Sequence, residues 1–260
     1  MDFDSTITEE STLVWLYMLS ELFRDKDKRK ELENISNEFY AEELKLKAKT
    51  YKKLFKCLDY YKFEDFLKSI MQVMQDYERR IIVYEMLGMQ LVEPFLKNIK
   101  LEDISRASSQ IKLREGFSEF VYMFDLNERY IISCNWSDLF INMVCQPNVN
   151  RKNIFSNRLA IKKDECSGFD YNEVILTPLV KSKIFNNYKA EKNVYCGDSF
   201  PDIMPTLLSD IGFVFESSDK EYASLLKFVK EKYSRNIFFV SDFNEAKSLL
   251  KFTWIPPVPP

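Results

Sequence analysis

The chain has no histidine among its 260 residues, only five glycines and five scattered cysteines. Without histidine, Ser-His-Asp and Cys-His catalysis, histidine-ligated zinc and histidine acid–base chemistry are excluded. The few glycines form neither of the two glycine-rich motifs that cradle nucleotide phosphates. Acid–base work must therefore fall to carboxylates, lysine, tyrosine or cysteine. A bound phosphate must be held by side chains, a helix N-terminus or a metal ion.

The cysteines, the apolar runs and the charge limit where the protein works. No two cysteines form a Cys-x-x-Cys pair, and an odd, unpatterned set indicates reduced thiols, so we expect a cytoplasmic or nuclear protein. The longest apolar run, residues 13–19, is far shorter than the ~20 residues that span a bilayer. The formal net charge of -3 gives no reason to expect nucleic acid or a membrane as a partner. Composition makes no prediction of the oligomeric state.

The first part of the chain predicts helices. Residues 9–109 contain one glycine, Gly88, and few β-branched runs. In the segment 63–74, apolar residues follow the i, i+3, i+4, i+7 spacing of a one-sided helix. Pro94 should end or kink one of these helices.

The second part of the chain alternates between short apolar runs and helical stretches. The runs that predict buried strands are residues 129–133, 193–196, 211–215 and 236–240. Apolar strands that alternate with helices indicate a parallel sheet covered by helices on both faces. We therefore predict an α/β core formed by residues 1–8 and 110–260, with residues 9–109 inserted as an all-helical cap over the site.

Four short segments, in a fixed order, carry chemically active side chains. They are Asp2-Phe3-Asp4-Ser5-Thr6, Ile131-Ile132-Ser133, Lys181 and Gly197-Asp198-Ser199-Phe200-Pro201-Asp202. Asp2, Ser133 and Asp198 each fall where a strand should end, and parallel sheets bind ligands beyond the carboxyl ends of their strands. Each segment alone has an ordinary structural explanation, such as a helix cap or a turn. Together, in this order and at strand ends, they predict a catalytic site.

The carboxylates are suited to moving a phosphoryl group. Asp2 and Asp4 lie two residues apart on extended chain, so both side chains can share one side. A carboxylate that attacks phosphorus forms an aspartyl-phosphate and divides hydrolysis into two easier steps. The second carboxyl group can protonate the leaving oxygen and then activate water. Crowding Asp2, Asp198 and Asp202 together favours a hard cation, magnesium, which removes their mutual repulsion.

Two further segments supply groups that can hold the phosphate oxygens. Ser133 and the amide of Cys134 fall at a strand-to-helix junction, where helix-start amides favour anions. Lys181 supplies a positive charge for the same oxygens, although Lys183 lies close enough in sequence to serve instead.

These segments resemble the motifs of haloacid dehalogenase-superfamily phosphatases with a helical cap inserted after the first motif. The resemblance covers nearly the whole chain and implies that Asp2 is the nucleophile and Asp4 the acid–base group. It implies that Ser133, Cys134 and Lys181 bind phosphate.

The resemblance also implies a magnesium site. The ion would be bound by Asp2, Asp198 and the backbone carbonyl of Asp4, and Asp202 would support it. The implied activity is magnesium-dependent hydrolysis of a small soluble phosphate monoester.

Further segments resemble two groups within the superfamily. They are Leu101-Glu102-Asp103-Ile104-Ser105-Arg106-Ala107, Leu113-Arg114-Glu115-Gly116, Asn135-Trp136-Ser137 and residues 197–202. One group is the fungal haloacid dehalogenase-like hydrolases associated with cold tolerance. The other is the phosphatase domain fused to TenA in plant thiamine monophosphate phosphatases. A fungal protein and a substrate like thiamine monophosphate are therefore expected from the resemblance.

The start of the chain departs from the superfamily pattern. Members place a buried strand of about five apolar residues before the nucleophile, whereas only Met1 stands before Asp2 here. Without that strand, neighbouring strand edges would be unpaired and a slot would open in the core. We expect further residues upstream of Met1. The alternative is a catalytically impaired protein of this fold with a binding or regulatory role. At the other end, residues 254–260 predict extended polyproline.

Overall fold

A computed structural model describes residues 1–172, 174–217 and 219–253. The predicted polyproline segment, residues 254–260, lies outside the described residues. The helices in the first part of the chain are α1 (Leu13–Met18), α2 (Glu21–Arg24), α3 (Lys26–Cys57), α4 (Phe63–Leu96), α5 (Leu101–Ser108) and α6 (Phe117–Val121). The first helix begins at Leu13 and not near residue 9, because residues before it form turns and a bridge from Thr8 to Leu113.

The helices α3 and α4 are the longest elements, with 32 and 34 residues, and they pack along each other. The α3 helix begins at Lys26 because the Asp25 carboxylate accepts hydrogen bonds from two amides of its first turn. The α4 helix carries a buried apolar stripe as predicted, and it ends at Leu96, shortly after Pro94. No helix among the described residues is long and apolar enough to cross a membrane.

The second part of the chain contains the strands. They are β1 (Ile131–Ile132), β2 (Ile154–Phe155), β3 (Arg158–Lys162), β4 (Glu165–Asp170), β5 (Val194–Gly197), β6 (Ile211–Phe215) and β7 (Ile237–Val240). The helices between and after them are α7 (Asp138–Cys145), α8 (Pro178–Tyr188), α9 (Ile203–Leu208), α10 (Lys220–Tyr233) and α11 (Phe243–Thr253). Strands β1 and β2 pair in parallel, and so do β5, β6 and β7. The predicted mixed α/β fold with parallel strands is therefore confirmed.

The first residues of the chain join the two groups of parallel strands. Met1 exchanges hydrogen bonds with the β1 side, to Tyr130 O and from Ile132 N, each at 2.9 Å. On the opposite side, the amide of Asp2 donates to Cys196 O of β5 at 2.9 Å. Bonds on both sides are typical of a central strand. This pairing puts Asp2 at the carboxyl edge, between the residues that follow β1 and β5.

A cavity of about 450 Å³ lies beyond Met1, between the β1 and β5 edges. Its lining includes Tyr130, Phe185, Val194 and Cys196. Backbone groups of alternate residues point to the same side of a strand. Cys196 directs its carbonyl toward Asp2, so Val194, two residues earlier, directs its peptide groups to the same side, toward this cavity. The Met1 ammonium is buried here, and burial lowers its pKa.

An antiparallel hairpin of β3 and β4 was not expected from the sequence. Its loop consists of Lys163 and Asp164, with φ of 50° and 64°. Two residues with positive φ form the tight turn that suits hairpins. The usual signal for such a turn is Asn-Gly or Asp-Gly, and a Lys-Asp pair lacks it.

Candidate active site

Three carboxylates meet at the carboxyl ends of the central strands. Asp2, Asp198 and Asp202 each offer a carboxylate oxygen, and these three oxygens lie within 4.8 Å of one another. All three side chains are buried. Asp198 follows β5 directly, and Asp202 ends the short helical turn Phe200–Asp202. The chain therefore concentrates negative charge at one edge of the sheet.

Lys181 is the buried cation that faces this charge. Its ammonium lies 2.8 Å from Asp2 Oδ1 and 2.8 Å from Asp202 Oδ1, and its side chain is 1% exposed. The residue is on α8, whose first turn is capped by the Thr177 hydroxyl accepting from Val180 N. Burial disfavours the ammonium form, but attraction to Asp2 and Asp202 raises the pKa of Lys181 well above its usual value.

Asp202 is held by four hydrogen bonds. Its Oδ1 accepts from the Lys181 ammonium and from the Tyr195 hydroxyl, each at 2.8 Å. Its Oδ2 accepts from the amides of Asp198 and Ser199 at 3.2 and 3.3 Å. A Cβ at position 197 would lie 2.5 Å from the Asp202 side chain, so only glycine allows this approach. Asp202 thus fixes the loop that carries Asp198.

The electrostatics of the cluster fit a bound cation. Burial and the neighbouring Asp202 raise the pKa of Asp2 to about 7. Burial, Asp202 and Asp2 likewise raise the pKa of Asp198 well above its usual range. One ammonium faces three carboxylates, so a hard divalent cation would offset the remaining repulsion. The Thr6 hydroxyl already donates to Asp198 Oδ1 at 3.0 Å, which leaves its second oxygen for a ligand.

Asp4 occupies a separate position beside this cluster. Its Oδ1 accepts from the amide and the hydroxyl of Thr12 at 2.6 and 2.7 Å, and its Oδ2 accepts from Asn135 Nδ2 at 2.8 Å. Burial raises the pKa of Asp4, while the bonds from Asn135 and Thr12 act in the opposite direction. Among the described residues, its carboxylate is not part of the acidic cluster. Three hydrogen-bond donors, two from Thr12 and one from Asn135, thus hold the Asp4 carboxyl group in a fixed orientation near Asp2.

The segment after β1 forms the opposite wall. Ser133 is buried, and its hydroxyl oxygen accepts from the amide of Asn135 at 3.1 Å. Asn157 donates to the backbone carbonyls of Cys134 and Asn135 at 3.0 and 3.2 Å. Burial raises the pKa of the Cys134 thiol to about 12, so this cysteine stays protonated at neutral pH. The wall supplies a hydroxyl group and backbone amides, not a thiolate.

The structure brings three of the four predicted segments into direct contact, and the segment after β1 joins them through Asn135, whose Nδ2 donates to Asp4 Oδ2. Asp2, Asp198 and Asp202 meet directly, and Lys181 contacts two of them. Lys183 is exposed on the same helix, so of the two lysines it is Lys181 that faces the carboxylates, and its binding of phosphate stays a prediction.

Sequence reasoning missed several residues that hold the functional groups. They are Thr6, Thr12, Asn135, Asn157 and Tyr195. Asn135 stood in the segment Asn135-Trp136-Ser137 that carried the resemblance, so it had a sequence signal. Thr12 and Tyr195 had none, although their partners Asp4 and Asp202 lie only eight and seven residues away.

Comparison with solved structures identifies the fold. A phosphoserine phosphohydrolase-like protein from Francisella tularensis subsp. tularensis SCHU S4 superposes with a TM-score of 0.53 and 15% identity, over 96% of this chain and 97% of that one. A phospho-aspartyl intermediate analogue of phosphoserine phosphatase gives 0.52 and 19%, over 96% and 95%. A substrate-bound phosphoserine phosphatase complex gives 0.51 and 17%, over 96% and 95%.

Sequence comparison finds a plant relative. The bifunctional TH2 protein, mitochondrial, of Arabidopsis thaliana is 27% identical over 176 residues, which are 62% of this chain and 27% of that protein. The match therefore spans about a quarter of that relative's length. No family model matches the chain.

The chain has the haloacid dehalogenase-like fold of the phosphoserine phosphatases, which confirms the fold that its motifs predict. The resemblance to fungal cold-tolerance hydrolases and the division at residues 9 and 109 stay predictions.

Proposed function

We propose that the chain is a magnesium-dependent phosphomonoesterase that acts through a phosphorylated Asp2. The observation that carries this proposal is the convergence of Asp2, Asp198 and Asp202 around Lys181 in a fold shared with phosphoserine phosphatases. The second carboxyl group of the first motif, Asp4, lies beside this cluster in an orientation fixed by three donors.

In the proposed reaction, an Asp2 carboxylate oxygen attacks phosphorus, and the bond to the leaving alcohol breaks. Asp4 donates its proton to the leaving oxygen, and the buried position of Asp4, which raises its pKa, favours the protonated form that this step needs. Asp4 then accepts a proton from water, which attacks phosphorus and releases inorganic phosphate from Asp2. Lys181 and the Ser133 segment hold the phosphate oxygens and stabilise their charge in the transition state.

A magnesium ion fits the donor set of this cluster. Three buried carboxylates and no histidine offer only hard oxygen ligands. Asp2 and Asp198 would bind the ion with the Asp4 carbonyl, while Asp202, already held by four donors, would support them. When bound, magnesium supplies positive charge that offsets the charge of the phosphate.

The substrate of the proposed enzyme is a small soluble phosphorylated metabolite. The resemblance to plant thiamine monophosphate phosphatases suggests thiamine monophosphate as one candidate for a substrate panel. All five cysteines are free thiols, which supports a location in the cytoplasm or nucleus.

The test compares phosphate release from p-nitrophenyl phosphate, with magnesium present, by wild type, Asp2→Asn and Asp65→Asn. Asp65 is an exposed residue of α4, so its variant is a matched control. We expect the Asp2 variant to lose about 10³-fold or more in kcat, because the nucleophile is removed. The Asp65 variant should keep wild-type activity.

Turnover by Asp2→Asn equal to wild type would show that the nucleophile is assigned wrongly. A wild type that is inactive throughout the panel would instead favour the alternative, a binding or regulatory protein. A readout independent of turnover is thermal unfolding with and without magnesium. The ion should raise the Tm of wild type but not of Asp198→Asn, because a ligand stabilises only the state that binds it.

A further inference from the structure

Arg114 lies beside the loop that follows the proposed nucleophile, and the proposed reaction gives it no role. We name residues 4–8 the nucleophile loop. A backbone bridge joins Thr8 of this loop to Leu113, and the amide of Arg114 donates to Ile7 O at 2.7 Å. This short pairing fixes the backbone of Arg114 against the nucleophile loop, so its side chain can run along the loop.

The guanidinium group of Arg114 binds three backbone carbonyls. Its Nη2 and Nε donate to Ser5 O and Thr6 O at 2.6 and 3.1 Å. Its Nη1 donates to Ser241 O, directly after β7, at 2.8 Å. The guanidinium carbon also lies 5.1 Å from the centre of the Phe215 ring at the end of β6. Because the guanidinium is planar and its donors are fixed in a fork, it ties the nucleophile loop to the carboxyl ends of β6 and β7.

The nucleophile loop needs such support at Ser5. This residue has φ of 55°, a left-handed conformation that side chains other than glycine adopt at a cost. Its amide donates to the Thr8 hydroxyl at 3.2 Å, and its carbonyl accepts from Arg114. The N–H and C=O of a trans peptide point in opposite directions, so holding the Ser5 amide also fixes the direction of the Asp4 carbonyl. That carbonyl is one of the proposed magnesium ligands.

Thr6 extends the connection from Arg114 to Asp198. The Thr6 carbonyl accepts from Arg114, and its hydroxyl donates to Asp198 Oδ1 at 3.0 Å. Thr6 is fully buried, so the nucleophile loop cannot shift without moving this donor. Two of the proposed ligands, the Asp4 carbonyl and the Asp198 carboxylate, therefore depend on the loop that Arg114 holds.

We propose that Arg114 is a positioning residue for the magnesium site and acts through the nucleophile loop. This inference rests on the proposed function, because it concerns the ion of that reaction. Groups that orient metal ligands from behind commonly change metal affinity about 10- to 100-fold when they are replaced. Replacing Arg114 should therefore weaken magnesium binding by about tenfold or more.

The test measures magnesium binding without substrate, by calorimetric titration of folded wild type and Arg114→Lys with magnesium chloride. The lysine variant keeps the positive charge but cannot donate to three carbonyls in a fixed fork, so its affinity should fall about tenfold or more. Arg129→Lys is the matched control. The Arg129 guanidinium also makes three hydrogen bonds to backbone carbonyls and also lies 5.1 Å from an aromatic ring centre. It precedes β1, at the opposite edge of the sheet, so its variant should keep magnesium affinity within about twofold.

A second variant, Arg114→Gln, separates position from charge. If only charge mattered, removing a cation near an acidic site would strengthen magnesium binding. The positioning role predicts weaker binding, as in Arg114→Lys, and Arg114→Gln replaces that variant if it does not fold. Loss of folding in both Arg114 variants, with Arg129→Lys folded, would show a purely structural role and overturn the inference.

Turnover of p-nitrophenyl phosphate supplies a second readout. At limiting magnesium the Arg114 variants should be slower than wild type, but at saturating magnesium their kcat should return to within about threefold of it. A kcat that stays low when the metal site is filled would place the defect elsewhere and overturn the inference.

Failure of this inference can be distinguished from failure of the proposed function. Equal magnesium affinities of wild type and Arg114→Lys, or equal losses in Arg114→Lys and Arg129→Lys, would overturn the inference alone. Wild type that binds no magnesium would overturn it together with the metal dependence of the proposed function. Weaker binding confined to the Arg114 variants, in a protein that hydrolyses no ester, would support the positioning role and contradict the phosphatase.

Discussion

The acidic cluster around Lys181 and a second charged group, the cap patch formed by Glu43 and Lys47 of α3 and Glu85 of α4, both place carboxylates near an ammonium, but they do so differently. In the cluster, Lys181 is 1% exposed and contacts two aspartates, and Asp202 is held by four donors. In the cap patch, Lys47 has one carboxylate at 2.6 Å and remains partly exposed, and Glu85 has none. Short side chains at strand ends thus form a rigid centre, whereas long side chains on helices form an adaptable one.

The largest effect should come from removing the cation of the rigid centre. Lys181→Met leaves the Asp2 and Asp202 carboxylates buried without their partner, so we expect a loss of about 3 kcal/mol in the free energy of unfolding. Lys183→Met is the matched control, and its exposed side chain should cost less than about 0.5 kcal/mol. Urea unfolding monitored by circular dichroism measures both. Equal losses in the two variants would contradict the difference between these lysines.

The acid–base assignment predicts a kinetic effect that depends on the leaving group. Asp4→Asn can still accept the hydrogen bonds from Thr12 but loses the one from Asn135, so circular dichroism must first show that it folds. Its kcat/KM on an alkyl phosphate, which reports the step that expels the alcohol, should fall about 10²–10³-fold. The fall should be smaller for p-nitrophenyl phosphate, whose leaving group needs no proton. Thr12→Ser keeps the hydroxyl and should retain wild-type rates. The same loss of kcat/KM on both esters would contradict proton donation by Asp4.

The cavity beyond Met1 predicts that an added strand at this position would raise the free energy of unfolding. An engineered extension of Val-Ile-Val-Val between an added initiator methionine and Met1 can pair with the β1 and β5 edges. It also replaces the buried ammonium with a peptide group. We expect a gain of about 2 kcal/mol, comparable to burying one large apolar side chain.

A Gly-Ser-Gly-Ser extension of equal length is the control for the valine-rich one. It also removes the ammonium but has no apolar side chains, so it should give a smaller gain. Thermal unfolding of the two proteins measures the difference. Equal Tm values would mean that the cavity does not accept a strand.

The smallest effect should come from the Glu85 carboxylate, whose contribution to stability changes with pH in a direction that can be stated. The pKa of Glu85 is raised to about 7 in the folded state, so the folded protein binds more protons than the unfolded one between pH 4.5 and 7. Its carboxylate therefore lowers stability as pH rises through that window. Such a pKa corresponds to at most about 3 kcal/mol, and its partial exposure to water reduces this to about 1 kcal/mol.

Glu85→Gln should therefore be more stable than wild type at pH 8 and equal to it near pH 4. Urea unfolding at the two pH values measures this difference, and Glu64→Gln should show no such change. A Glu85 variant that is less stable than wild type at pH 8 would show that the carboxylate has a stabilising partner.

The sequence predicts the position of a site residue only where that position follows from the pattern of strands. Asp2, Ser133 and Asp198 could be placed because parallel strands end at one edge of a sheet. The lysine remained open, because Lys181 and Lys183 are close in sequence and the apolar pattern of α8 does not select between the two faces.

Other contacts could not be predicted, because they join distant parts of the chain. Thr12 and Asn135 converge on Asp4, although Asn135 is 131 residues from it. Glu85 is part of a regular amphipathic pattern on α4, and that pattern does not specify what the polar positions face. The Lys163–Asp164 turn lacked a glycine, so the hairpin was missed.

Asp219 connects α3 to the turn that carries Asp202, and this connection limits how far α3 can move away from the core. Its carboxylate caps α10 at Tyr222 N and accepts from Phe200 N, while both of its oxygens accept from the Tyr51 hydroxyl of the cap at 2.9 Å. The residues that flank the turn between α3 and α4 also share one apolar cluster with the core, through Leu54 and Phe66. Lifting the whole cap would break these bonds and wet that cluster. The opposite ends of α3 and α4 are anchored as well, because Leu32, Val92 and Leu96 belong to the other core cluster, so the helix pair is held to the core at both ends.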